Sequence, residues 1–100
     1  MEIYGGAVWR ECHTTPIGDA DTDEEAADLL WWLPHDRALA VIRQARDTGR
    51  PVLAGYAGPG GLQADPPTGQ EPVGESRYGD PVYGSEEAPI EPYYVEVAEA

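Results

Sequence analysis

Between Gly55 and Pro92, 15 of 38 residues are Gly or Pro. A stretch of that density does not sustain a helix. Pro removes a backbone donor and clashes with the preceding turn, and Gly carries the largest entropic cost of ordering. The aliphatics larger than Ala in this stretch are Leu62, Val73, Val82 and Ile90, too few to seed a core of their own. Helices must therefore lie in the first half of the chain, and residues 58–92 are expected as an extended arm or long loop. With 100 residues in all, one small core is what the chain supports.

The first half carries two helical patterns. Thr22-x-x-Glu25 is a capping-box pattern, and Asp23, Glu24 and Glu25 suit the positive end of a helix dipole. Ala26, Leu29, Leu30 and Leu33 recur at helical spacing, which predicts a helix over 23–33. Pro34 ends it and can open a second helix, reaching about Thr48. There Ala38, Val41, Ile42 and Ala45 make the apolar stripe, Arg43, Arg46 and Arg50 form a stripe near the negative end, and Gly49 is the expected left-handed cap. Strands are expected over 2–10, 51–57 and 93–98, the last from the alternation of Tyr93-Tyr94-Val95-Glu96-Val97. His13 to about Thr22 reads as an Asp-rich loop. The expected fold is small α+β, with two consecutive helices packed on a mainly antiparallel sheet. Residues 1–57 with 93–100 form the domain, and the Pro/Gly arm joins its last two strands.

Charge narrows the partners. Nineteen acids face six bases, all Arg, for a formal net charge of −13. Nucleic-acid affinity rests on clustered cations that release counterions, so direct nucleic-acid binding is not expected, nor is an anionic membrane surface. The absence of Lys, Asn and Phe fits a GC-rich coding background or a salt-loving host, where an acidic surface keeps protein soluble. Cys12 is the sole cysteine, which excludes an internal disulfide and a Cys-based zinc cage. No signal-like segment opens the sequence, and its longest apolar run, Leu29 to Leu33, is far short of a membrane span. A cytoplasmic protein, or one inside a particle assembled in the cytoplasm, is expected.

Catalytic patterns are weak. Asp19-x-Asp21-x-Asp23 resembles the start of an EF-hand loop, but the required Gly and Glu positions hold Glu24 and Leu30. Cys12-His13 and His35-Asp36 have neither a nucleophile elbow nor familiar ligand spacing. Gly58-Pro59-Gly60-Gly61 is followed by no Lys-Ser or Lys-Thr, so it is not a phosphate loop. No metal, cofactor or catalytic residue is expected. The helix–Pro–helix unit has a helix-turn-helix look, but the acids of its first helix would repel a nucleic-acid backbone. The Arg stripe of its second is expected to pair with the protein's own acids or with an acidic partner. Gly49-Arg50-Pro51-Val52 and Gly55-Tyr56, following a helix end, are faintly similar to the opening of WYL-type ligand-sensing domains, without the Trp-Tyr-Leu signature.

Aromatic residues are the more informative signal. Adjacent helical positions point about 100° apart, so of Trp31 and Trp32 one is expected in the core and the other at the surface. Tyr93 and Tyr94 should face opposite sides of the last strand. Trp31, Trp32, Tyr78, Tyr83 and Tyr94 are the expected partner contacts. The leading expectation is a small non-enzymatic interaction protein or structural accessory subunit, viral in origin, whose partner is another protein, copies of itself included. One alternative is a DNA-mimicking inhibitor whose Asp19, Asp21, Asp23, Glu24, Glu25 and Asp28 stand in for phosphates. A second is a small-molecule sensor or enzyme built on Cys12, His13 and His35.

Overall fold

The computed structural model describes residues 1–7 and 15–98. Among the described residues, seven antiparallel strands form a curled sheet, and two helices lie between its second and third strands in sequence. The strands are β1 (Glu2–Ala7), β2 (Thr15–Asp19), β3 (Val52–Gly58), β4 (Gly61–Gln63), β5 (Gly74–Glu75), β6 (Pro81–Gly84) and β7 (Pro89–Ala98). The helices are α1 (Asp23–Asp28) and α2 (His35–Thr48). The α+β expectation stands, although the sheet outweighs the helices. No helix among the described residues is long and apolar enough to cross a membrane.

The ten-residue β7 is the centre of the sheet. Its 93–98 portion pairs with β1, from Ala7↔Tyr93 to Glu2↔Ala98. On its other side it pairs with β3, from Val52↔Val95 to Ala57↔Glu91. Its first residues close a hairpin with β6 through Tyr83↔Ile90 and Gly84↔Pro89. Pro92 is central in sequence terms but lacks an N–H. It stands opposite Tyr56 of β3.

Alternation along β7 divides the protein into two layers. Val95 and Val97 face the helices and join Ile3, Ala26, Leu30, Leu33, Ala38, Ile42, Ala45 and Ala54 in the main core, with Tyr93 packed against it. Pro92 and Tyr94 are also buried but lie outside that cluster. Their cover comes from residues 58–92. Val82 is fully buried, Tyr83 meets Tyr56 edge-on at 6.0 Å, and Tyr78 meets Tyr94 at 4.9 Å. The segment expected as an arm thus carries β4, β5 and β6 and returns to the sheet.

A buried polar knot fastens this outer layer. The Tyr94 hydroxyl donates to the Asp80 carboxylate. Its one proton being spent, it accepts from Ser76 Oγ at 2.7 Å. Ser76 Oγ in turn accepts from the backbone N–H groups of Tyr78 (3.2 Å) and Asp80 (3.3 Å), holding the 76–80 turn closed.

The helix ends follow the expected chemistry, with one shift. The Glu25 N–H donates to Thr22 Oγ1 at 3.2 Å, while the Glu25 carboxylate accepts from Asp21 N–H at 3.0 Å rather than from Thr22. Gly49 caps α2 with φ 65°. The first helix is shorter than the predicted 23–33. It stops at Asp28 and continues as tight turns, with Leu29, Leu30 and Leu33 N–H groups bonding back three residues. A residue before proline avoids the helical region, so Leu33-Pro34 closes off any further α-turn. The predicted Asp-rich loop contains β2, and the predicted strand 2–10 is described as far as Ala7. The rest of that prediction, with Cys12 and His13, lies outside the described residues.

In β3, Ala54 and Gly55 together oppose the single residue Tyr93 of β7, a β-bulge. Its extra residue re-phases the strand, so that both Ala54, in the helix-side core, and Tyr56, in the outer layer, are buried. Gly55 has φ 115°, and a methyl group there would meet the Gln63 carbonyl and lie 2.9 Å from Trp32 Nε1. Gly55→Ala is therefore expected to cost about 2–3 kcal/mol in urea unfolding. Gly60→Ala, where an added methyl meets nothing within 4 Å, should stay within about 1 kcal/mol of the parent.

The tyrosines give an alkaline prediction. Burial, and then the bond to Asp80, push the Tyr94 hydroxyl well above its ordinary 10.0. Burial also raises Tyr56 and Tyr93. A native state that holds a proton more tightly than the unfolded chain loses stability as pH rises past the unfolded value. The stabilisation these tyrosines contribute should be fully present below about pH 9 and be lost above about pH 10. Tyr94→Phe should be less stable at neutral pH by about 1–3 kcal/mol, and its alkaline decline should be shallower. Urea titrations across pH, with tyrosinate absorbance as a second signal, test both.

Candidate aromatic surface at the helix–helix turn

The turn between α1 and α2 is the most distinctive surface of the molecule. Its apolar run, Leu29 to Leu33, cannot be buried whole. Leu30 and Leu33 enter the core and Trp32 packs against it, while Trp31 is left 72 % exposed. The expected division of the two tryptophans is therefore realised, with Trp31 outside.

Trp32 is held from three directions. Its indole N–H donates to the Ala54 carbonyl at 2.5 Å. That carbonyl belongs to the bulge, so the turn is tied to the irregular point of β3. The Tyr93 ring meets Trp32 edge-on, with centroids 5.3 Å apart and planes at 84°. Trp31 meets it edge-on from the solvent side, at 5.8 Å and 83°. Edge-to-face pairs of this kind add about 0.5–1.5 kcal/mol beyond burial. The Tyr93 ring in turn fits because β1 carries Gly5, where a Cβ would lie 2.8 Å from the ring carbon Cζ.

The other expected contacts do not gather here. Tyr78 is 48 % exposed on the outer layer, edge-on to Tyr94. Tyr83 is half-buried against Tyr56. Tyr94 is corrected from surface contact to core residue: it is 2 % exposed, because the 76–80 turn covers it and its hydroxyl is spent on Ser76 and Asp80. The aromatics are thus split between two faces. Sequence alternation could place Tyr93 and Tyr94 on opposite sides of β7, but not show that both sides are covered.

The six nominated acids also divide. Asp23 is not an open surface charge, since its side chain is 17 % exposed. It binds Arg46 and lies 3.5 Å from Arg43 Nε, so two of the three stripe arginines pair with an acid of α1, while Arg50 is exposed. Glu25 is engaged with the Asp21 N–H, and Asp28 approaches His35 Nδ1 at 3.9 Å. Asp19, Asp21, Glu24, Glu25 and Asp28 remain exposed. So do Glu2, Asp36, Asp47, Asp65, Glu71, Glu75, Glu86 and Glu87. Among the described residues, no group of three metal-ligating side chains converges and no enclosed cavity is found.

The two tryptophans should respond differently to substitution. Trp32→Phe strands the buried Ala54 carbonyl and should cost about 1–3 kcal/mol in chemical unfolding. Trp31→Phe, at an exposed site, should change stability by no more than about 0.5 kcal/mol.

Comparison with protein-family models, with characterised proteins and with solved structures finds no match to this chain.

Proposed function

We propose that this protein is a small non-enzymatic interaction module that docks on another protein, copies of itself included, with Trp31 as its anchor. The observation that supports this reading is a large apolar ring held in the open by a braced turn. Hiding such a ring removes on the order of 150–250 Å² from water. At about 25 cal/mol per Å² that is several kcal/mol of favourable free energy. The ordering cost is low because Trp32, the wall behind it, is already locked to Ala54 and Tyr93. Buried aromatic anchors of this kind carry a disproportionate share of interface energy. A single ring is a modest handle, so the module suits multivalent assembly, as in a structural accessory subunit of a particle, viral or cellular. A DNA-mimicking role has weaker support. One nominated carboxylate, Asp23, is paired internally with Arg43 and Arg46.

The test is site-specific photo-crosslinking in the native host cells. Benzoylphenylalanine at position 31 should give a discrete protein adduct. The same probe at position 73, where Val73 is 46 % exposed in the outer layer, should not give that adduct. Identical patterns at the two positions, or no adduct from position 31, would remove Trp31 as an anchor.

A further inference from the structure

We propose that the corner between Trp31 and Trp32 receives a cationic side chain, arginine above all, from a basic segment of the protein partner. This deepens the interaction reading above and rests on it.

The two rings stand 83° apart with centroids 5.8 Å from each other, which makes two nearly perpendicular aromatic walls. One wall is fixed. Trp32 is pinned by the Ala54 carbonyl and braced on its core side by Tyr93. The other wall, Trp31, faces solvent. Indole faces carry negative quadrupolar potential and attract cations, most strongly among the aromatic side chains.

The surroundings favour the same charge. Asp28 is the last residue of α1, Asp36 is the second residue of α2, and Glu24 lies one helical turn before Asp28; all three are exposed. The whole chain carries −13. That field draws in cations and repels an anionic segment. The nearby arginines are committed elsewhere, Arg43 and Arg46 to Asp23 and Arg37 to Asp65 at 3.0 Å, while the His35 imidazole lies 3.9 Å from Asp28. A neutral apolar side chain would gain the ring contact and nothing from the carboxylates. A guanidinium gains both, and its flat face stacks on indole while its N–H edge points to carboxylates.

The test uses the full chain, labelled with ¹⁵N, and three synthetic peptides of equal length: Arg-Gly-Ser repeats, Glu-Gly-Ser repeats and Leu-Gly-Ser repeats. The readout is the indole N–H resonances of Trp31 and Trp32, assigned with Trp31→Phe, at about 0.15 M salt, where long-range attraction is largely screened. The Arg peptide should shift both resonances saturably, and the Glu and Leu peptides should not. Trp31→Ala should weaken Arg-peptide binding roughly 2- to 30-fold, and Trp31→Phe by less. Asp28→Asn with Asp36→Asn should also weaken it and flatten its salt dependence. Thermal melts of each variant confirm that the fold is kept. Arg-peptide affinity unchanged in both Trp31 variants would overturn the proposal, because the attraction would then be that of a polyanion alone. Equal binding of the Leu peptide would overturn it too. If position 31 still crosslinks to a protein in either case, the anchor role survives and only the cationic assignment falls.

Discussion

A single strand with both faces buried organises this protein. β7 pairs with β1, β3 and β6, and its alternating side chains are claimed by two different layers. Val95 and Val97 are sealed by the helices, and Pro92 and Tyr94 by the segment after β4. A chain this small has little core to spare. Burying both sides of one central strand extracts two apolar layers from ten residues. The Pro/Gly-rich segment is therefore structural. Without it, Tyr94 and Pro92 would face water, and the second layer would be gone.

The same economy explains the bulge. The main core needs Ala54 on the helix side, and the outer layer needs Tyr56 on the far side. A regular strand already places residues two apart on one face, so it cannot serve both. The extra residue at Gly55 changes the phase between them. It also leaves the Ala54 carbonyl for the Trp32 indole. One irregularity in β3 thus satisfies two layers and anchors the helix–helix turn, and that turn carries Trp31. The exposed ring is a downstream consequence of how the sheet is phased.

What the sequence made legible follows from how local each signal is. Thr22, Pro34 and Gly49 act on their own neighbours, and the helix boundaries they mark are found at Thr22, Pro34 and Gly49. The end of α1 was less legible because Leu29 to Leu33 is apolar on all sides, so periodicity continues where the backbone does not. β2 was invisible for a different reason. It is an edge strand with only Ile17 packed against the core, and no alternation betrays it. β4, β5 and β6 are two to four residues long, and their existence depends on partners distant in sequence. At the surface, adjacency alone separated Trp31 from Trp32. Tyr94 was misjudged because its cover comes from Ser76 to Asp80, a turn whose destination no local pattern records.

Charge follows the same division between local and distant. The acids of α1 and the arginines of α2 each match their own helix dipole, which is a local property. Folding the two helices together makes a second use of them, with Asp23 set against Arg43 and Arg46. The pairing draws three charges out of circulation and orients α1 on α2. That alignment sets the direction in which the intervening turn projects. Most of the remaining carboxylates are left outward, with few basic partners available to answer them. The inward pairing and the outward excess thus leave the Trp31 turn bordered by Asp28, His35 and Asp36, with Arg43 and Arg46 held at Asp23. The surface this creates is apolar at its centre and anionic at its margin, and a partner must match both properties at once.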